Sequence, residues 1–114
     1  MLFRTNSGQK IGLGHLSRCL SLATAINKIN KNIEIIFVIN QEAKLYLQNF
    51  ICFISNSFDE NDIKDIENQK PDLIVFDSYL ASNSYLKRLC KIAPLALIDD
   101  NNNLYNNIPT DYVI

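Results

Sequence analysis

A chain of 114 residues, 47% apolar and 20% charged, is long enough for one layered core and too apolar to stay disordered. Its 11 basic and 12 acidic residues leave a formal net charge of -1, with no dense Lys/Arg cluster, so a nucleic-acid partner has no electrostatic footprint. No apolar run approaches the ~20 residues of a membrane span, and MLFRTNSGQK lacks the basic-then-apolar order of a signal peptide.

In chain order, a short strand over 1–5 is broken by turn-forming residues at 6–10. A helix starts between Gly12 and Gly14, with Leu13, Leu16, Leu20, Ala23 and Ile26 recurring at three- and four-residue steps. Asparagines collect at 27–32 and end it. The run 33–39, IEIIFVI, reads as a strand buried on both faces, as a parallel sheet requires. A short helix over 41–49, with Ala43, Leu45 and Leu47 in or near it, leads to a brief strand at 51–54. A polar helix over 59–69 stops before Pro71, and its charges at 59–67 read as a solvated face. The strand 72–77 ends in the turn Asp77-Ser78-Tyr79. Ser82 or Asn83 caps the next helix, whose apolar face is Tyr85, Leu86, Leu89 and Ile92, and Pro94 ends it. A fifth strand at 95–98 finishes at Asp99-Asp100, an asparagine loop follows, and 111–114 begins a sixth.

Alternating strands and helices with short connections predict an α/β, Rossmann-like parallel sheet sandwiched by helices, as a single domain over 1–114. The default strand order is 3-2-1-4-5-6, with right-handed crossovers. An ending inside an apolar strand signal suggests part of a longer protein. Cys19, Cys52 and Cys90 are odd in number, widely spaced and without CxxC or Cys/His patterns. Zinc and a disulfide framework are therefore not expected; the thiols read as small buried apolar groups, suited to a reducing cytoplasm.

Ligands of open parallel sheets bind outside the carboxyl ends of the strands, where the strand order switches. Polar turns at 6–15, 77–79 and 99–103 fall at those ends, and the first two belong to strands that should be neighbours. The glycines Gly12 and Gly14 at a helix start permit close backbone approach and favour anions. As a dinucleotide fingerprint GLGHLS fails: Ser17 stands where the third glycine belongs, and Asn40 rather than an acid ends the second strand. No P-loop Gly-Lys-Ser/Thr occurs. His15, the one histidine, stands in the first helical turn, where the macrodipole disfavours imidazolium and a general base is well placed. A histidine satisfying local hydrogen bonds is the competing reading. Arg18, one turn on, shares a face with His15 or is a solvated arginine. Asp77 binds sugar hydroxyls or caps the following turn; Tyr79 stacks on a sugar ring or is a half-buried aromatic.

Residues 4–7 (RTNS), 10–15 (KIGLGH), 18–20 (RCL) and Leu22-Ala23, with the Asp-x-Tyr of 77–79, Asp99-Asp100 and the strand 111–114, carry a resemblance in matching order along essentially the whole chain. They are similar to the N-terminus of the UDP-sugar hydrolases of bacterial pseudaminic acid synthesis and of related spore-coat polysaccharide proteins. These share the two-domain glycosyltransferase-B architecture of the lipid-linked GlcNAc transferase of peptidoglycan synthesis. The resemblance implies hydrolysis of a UDP-linked 2,4-diacetamido-2,4,6-trideoxy hexose to UDP and free sugar. His15 would be the base or water-positioning group and Tyr79 would sit against the sugar. Gly12, Gly14, Arg18, Asp77 and Asn6 would complete the substrate side, where the family usually has aspartate at the position of Asn6. No metal or cofactor is implied. The partner expected is a C-terminal nucleotide-binding domain, without which this half of a crevice would be inactive. A glycosyltransferase of the same fold, or a truncated, non-catalytic or partner-binding domain, are the alternative expectations.

Overall fold

The computed structural model describes residues 1–8, 12–78 and 80–98, together with the backbone of 112–113. Its strands are β1 (Leu2–Thr5), β2 (Ile36–Ile39), β3 (Ile51–Ile54), β4 (Ile74–Asp77), β5 (Leu95–Leu97) and β6 (Tyr112–Val113). Three α-helices alternate with them, α1 (Gly14–Ile29), α2 (Glu60–Asn68) and α3 (Asn83–Ile92), and a 3₁₀ helix spans Gln41–Tyr46. The strands form one sheet in the order β3-β2-β1-β4-β5-β6, and every adjacent pair runs parallel. The fold is therefore the α/β, Rossmann-like sheet that the alternation of signals predicts.

Strand periodicity divides the core in two. Because successive side chains point to opposite faces, Leu2, Val38, Ile74, Phe76, Leu95 and Leu97 pack under α2 and α3. On the other face Phe3, Phe37, Ile39, Val75 and Ala96 pack under Leu16, Cys19 and Ala23 of α1. Phe3 and Phe37 are paired in register and stack with ring centroids 4.9 Å apart. Full burial of each such side chain contributes about 1.5–3 kcal/mol. The alternation also puts Thr5 and Asp77 on the α1 face, the side from which His15 and Arg18 approach.

The boundaries depart most from expectation at two places, while the strands expected over 72–77 and 95–98 are trimmed to Ile74–Asp77 and Leu95–Leu97. The second strand is shorter than 33–39, because its ladder begins with the pair Leu2↔Ile36. Ile35 is buried without belonging to it, and Ile33 closes a turn by donating its N–H to Asn30 O at 3.3 Å. The helix expected over 41–49 is the shorter 3₁₀ turn, in which Ala43 N donates to Asn40 O (3.1 Å) and Leu47 N to Lys44 O (3.1 Å). Ala43 and Leu47 are buried, while Leu45, two residues from each, is 78% exposed. β6 falls within the expected 111–114, and the asparagine loop lies outside the described residues.

Candidate functional site at the switch in strand order

The connections from β1 lead to β2 and β3 on one side, and those from β4 to β5 and β6 on the other. The strand order therefore reverses between β1 and β4, where Thr5 and Asp77 are register partners. Thr5 Oγ1 donates to Asp77 O at 2.8 Å and ties the two strand ends together. Past β1, Asn40 takes the place of a further strand residue. Its Nδ2 donates to Ser7 O (2.6 Å) and its Oδ1 accepts from Ser7 N (3.0 Å), so both backbone groups of Ser7 are satisfied by one side chain. The excursion before α1 is closed by Gly12 N donating to Gly8 O (2.6 Å) and Gly8 N to Gly12 O (3.4 Å). Gly12 has φ +82°, a left-handed conformation that other residues adopt only with strain. α1 then starts after Leu13, with no side-chain cap and no acid in its first turn.

Three side chains converge here. His15 Nδ1 lies 2.5 Å from Asp77 Oδ1. Arg18 grips the same carboxylate side-on, with Nε donating to Oδ2 (3.0 Å) and Nη2 to Oδ1 (2.8 Å). Asp77 is fully buried, the His15 side chain is 9% exposed and that of Arg18 is 36% exposed. A buried carboxylate thus has a counter-charge and a second donor, the condition under which such a charge is tolerated away from water. A bidentate guanidinium–carboxylate fork also fixes orientation. Beneath them, Cys19 is fully buried, and its thiol is pushed up to about 12, by burial first and then by the negative charge of Asp77. Its place against Thr5 and Asp77 makes it part of the floor.

Of the residues singled out in the sequence, His15, Arg18 and Asp77 are thus brought into one contact, although 62 residues separate His15 from Asp77. Gly12 and Gly14 lead directly into their helix, and a Cβ at either would meet open space. Asn6 is 4% exposed, and among the described residues neither its Oδ1 nor the hydroxyl of fully buried Ser7 has a hydrogen-bond partner. Tyr79 and the acidic turn at 99–103 lie outside the described residues.

No protein-family model matches the chain. It is similar to an uncharacterized protein of Methanocaldococcus jannaschii, 33% identical over 114 residues that cover 96% of this chain and 23% of that relative. The chain therefore spans less than a quarter of the length of the curated relative it matches. That relative's name assigns no activity.

A second polar cluster, on the α2/α3 face, was not anticipated from the sequence. The Arg4 guanidinium, 1% exposed, donates to the carbonyls of Thr5 (3.0 Å), Val38 (3.3 Å), Ser55 (3.3 Å) and Ser57 (3.5 Å). Its Nε is 3.2 Å from Asp62 Oδ1, and its Cζ lies 4.2 Å from the Phe58 ring centroid. The Tyr85 hydroxyl donates to the other oxygen of Asp62, and burial raises the pKa of that hydroxyl. Asp62 is 1% exposed, so the helix face expected to be solvated contains a buried acid. The available signal was Arg4 itself, a cation inside a strand buried on both faces. The cluster fastens the carboxyl ends of β1 and β2 and the segment after β3, and so holds the rim of the crevice. Among the described residues no group of three His, Cys, Asp or Glu side chains is arranged to hold a metal ion, and no helix is long and apolar enough to cross a membrane.

Proposed function

We propose that this chain is the sugar-side half of a UDP-sugar hydrolase of the glycosyltransferase-B type, acting on a UDP-linked 2,4-diacetamido-2,4,6-trideoxy hexose. The observation that carries the reading is His15, in the first turn of α1 at the switch in strand order, held by the buried Asp77 carboxylate that Arg18 grips. An oriented imidazole at the carboxyl ends of parallel strands is suited to take a proton from a water molecule. In the proposed step the water oxygen bonds to the anomeric carbon. The bond from that carbon to the UDP oxygen breaks, and its electron pair leaves with UDP. His15 accepts the water proton.

Gly12 and Gly14 allow a ligand to approach the start of α1, Asn6 lies just past the end of β1, and by the resemblance Tyr79 would sit against the sugar. In the two-domain architecture implied by the resemblance, uridine and pyrophosphate are held by a second α/β domain. The 114-residue chain alone would then turn over no substrate. The compartment would be the cytoplasm.

The test uses the full-length protein that carries this chain and follows UDP release from the diacetamido sugar nucleotide. His15→Ala is expected to lower turnover by about 10²–10⁴-fold, the usual contribution of general acid–base catalysis. Undiminished turnover removes His15 from the reaction. UDP release that appears only with an added acceptor converts the reading to a glycosyltransferase. No release under either condition favours a non-catalytic domain.

A further inference from the structure

We infer that Asp77 is a positioning residue that acts through His15: it fixes the imidazole as the tautomer protonated on Nδ1, and Arg18 locks the carboxylate that does so. The catalytic consequence rests on the hydrolase reading; the tautomer does not. An ionised carboxylate can only accept. With Nδ1 and Oδ1 2.5 Å apart, a proton must lie between them, and it is the one on Nδ1. The alternative is that Arg18 Nη2, 3.1 Å away, donates to an unprotonated Nδ1. That would press a nitrogen lone pair against a carboxylate oxygen at the shorter of the two distances. The 3.1 Å approach instead follows from two donors converging on one oxygen, Nη2 at 2.8 Å and Nδ1 at 2.5 Å.

The second oxygen completes the device. Arg18 Nε occupies Oδ2 at 3.0 Å, so the carboxylate cannot rotate away from His15 without breaking its fork. Thr5 anchors the backbone of the same residue through Asp77 O. A histidine in water favours protonation on Nε2; this site selects the opposite tautomer and puts the lone pair on Nε2. That is the nitrogen that would take the water proton in the hydrolase step. The imidazolium so formed would be stabilised by Asp77, while Arg18 keeps the buried carboxylate paired throughout.

Substitution by asparagine sharpens the point. An amide offers one oxygen and one N–H₂ group, whereas Arg18 Nε and the shared Nη2/Nδ1 edge both require acceptors. An amide nitrogen at the Oδ2 position would face the Arg18 Nε donor; at the Oδ1 position it can donate to a His15 Nδ1 that has become an acceptor, which gives the imidazole the Nε2-protonated form it favours in water.

The chain has one histidine, so a long-range ¹H–¹⁵N correlation spectrum of the labelled 114-residue protein reports its tautomer without assignment. With the pH raised until the ring ¹⁵N shifts no longer change, the Nδ1-protonated form is expected. In Asp77→Asn the Nε2-protonated form should predominate. In the full-length protein the same variant should lose about 10²–10⁴-fold in kcat with KM little changed. An Nε2-protonated His15 in the parent protein overturns the inference, and that measurement needs no variant to fold. A tautomer that Asp77→Asn leaves unchanged overturns it as well. Should the parent protein show the Nδ1 form but release no UDP, the hydrolase reading fails while the positioning of His15 stands.

Discussion

His15 and Cys19 stand four residues apart on α1, and Asp77 acts on both side chains. The imidazole gains an acceptor, whereas the buried thiol faces a negative charge that opposes its ionisation. The pKa of Cys19 is raised from about 9 to about 12, so above pH 9 the unfolded chain releases a proton that the folded chain retains. Fewer protons bound in the unfolded state make stability fall with rising pH. Its contribution is complete below pH 9 and is lost progressively through the window from 9 to 12. Urea melts across that window should show a steeper loss for the parent protein than for Cys19→Ala. Equal slopes would mean that the thiol is not buried against Asp77. Arg4 illustrates a different constraint on single residues. Its charge lies inside the sheet only because four carbonyls, Asp62 and the Phe58 face surround it.

Helix starts divide by what they are for. α2 is capped by Asp59, whose carboxylate accepts from Asp62 N at 3.1 Å, and α3 by Ser82, which accepts from Tyr85 N at 3.2 Å. α1, the longest of the three, has no such cap at the turn that carries His15. Capping side chains satisfy otherwise unpaired N–H groups and contribute about 1 kcal/mol each. Asp59→Ala should therefore lower the free energy of unfolding by about 0.5–2 kcal/mol, read from the urea midpoint at unchanged m-value. No measurable shift would show that the α2 start is held by packing of Ile63 and Ile66 alone.

Burial falls off at the β3 edge of the sheet, while β2 and β5 are as buried as the two central strands. Every residue of β1 and β4 is buried, whereas on edge strand β3 Ile51 is 57% exposed and Phe53 is 40% exposed. Thr5 and Asp77 therefore belong to fully buried strands paired on both sides, and the residues that orient His15 stand on rigid elements. Native-state hydrogen exchange should find the amides of β1 and β4 opening with free energies close to that of global unfolding, and those of β3 opening more readily. Equal protection across the three strands would contradict this gradient. It would imply that something covers the β3 edge in solution.

What the sequence determined by itself was the alternation of elements, because apolar periodicity is local: short β-branched apolar runs suit strands covered on both faces, and three- and four-residue steps suit helix faces. From that alternation follow the strand order and the two turns that border the crevice. The cap at Ser82 was readable for the same reason, since a cap acts within three residues. The pairings that give the site its chemistry were decided by the tertiary structure. His15 meets Asp77, Asn40 meets Ser7, and Arg4 meets Asp62 and Tyr85 across separations of 62, 33, 58 and 81 residues. A sequence pattern shows that a polar residue is placed at a strand end or on a buried face. It carries no record of which distant side chain fills the opposite side. Asp77 could thus be assigned to the crevice from its strand end, but its burial beneath α1 depended on the parity of the strand and the packing of the helix above it.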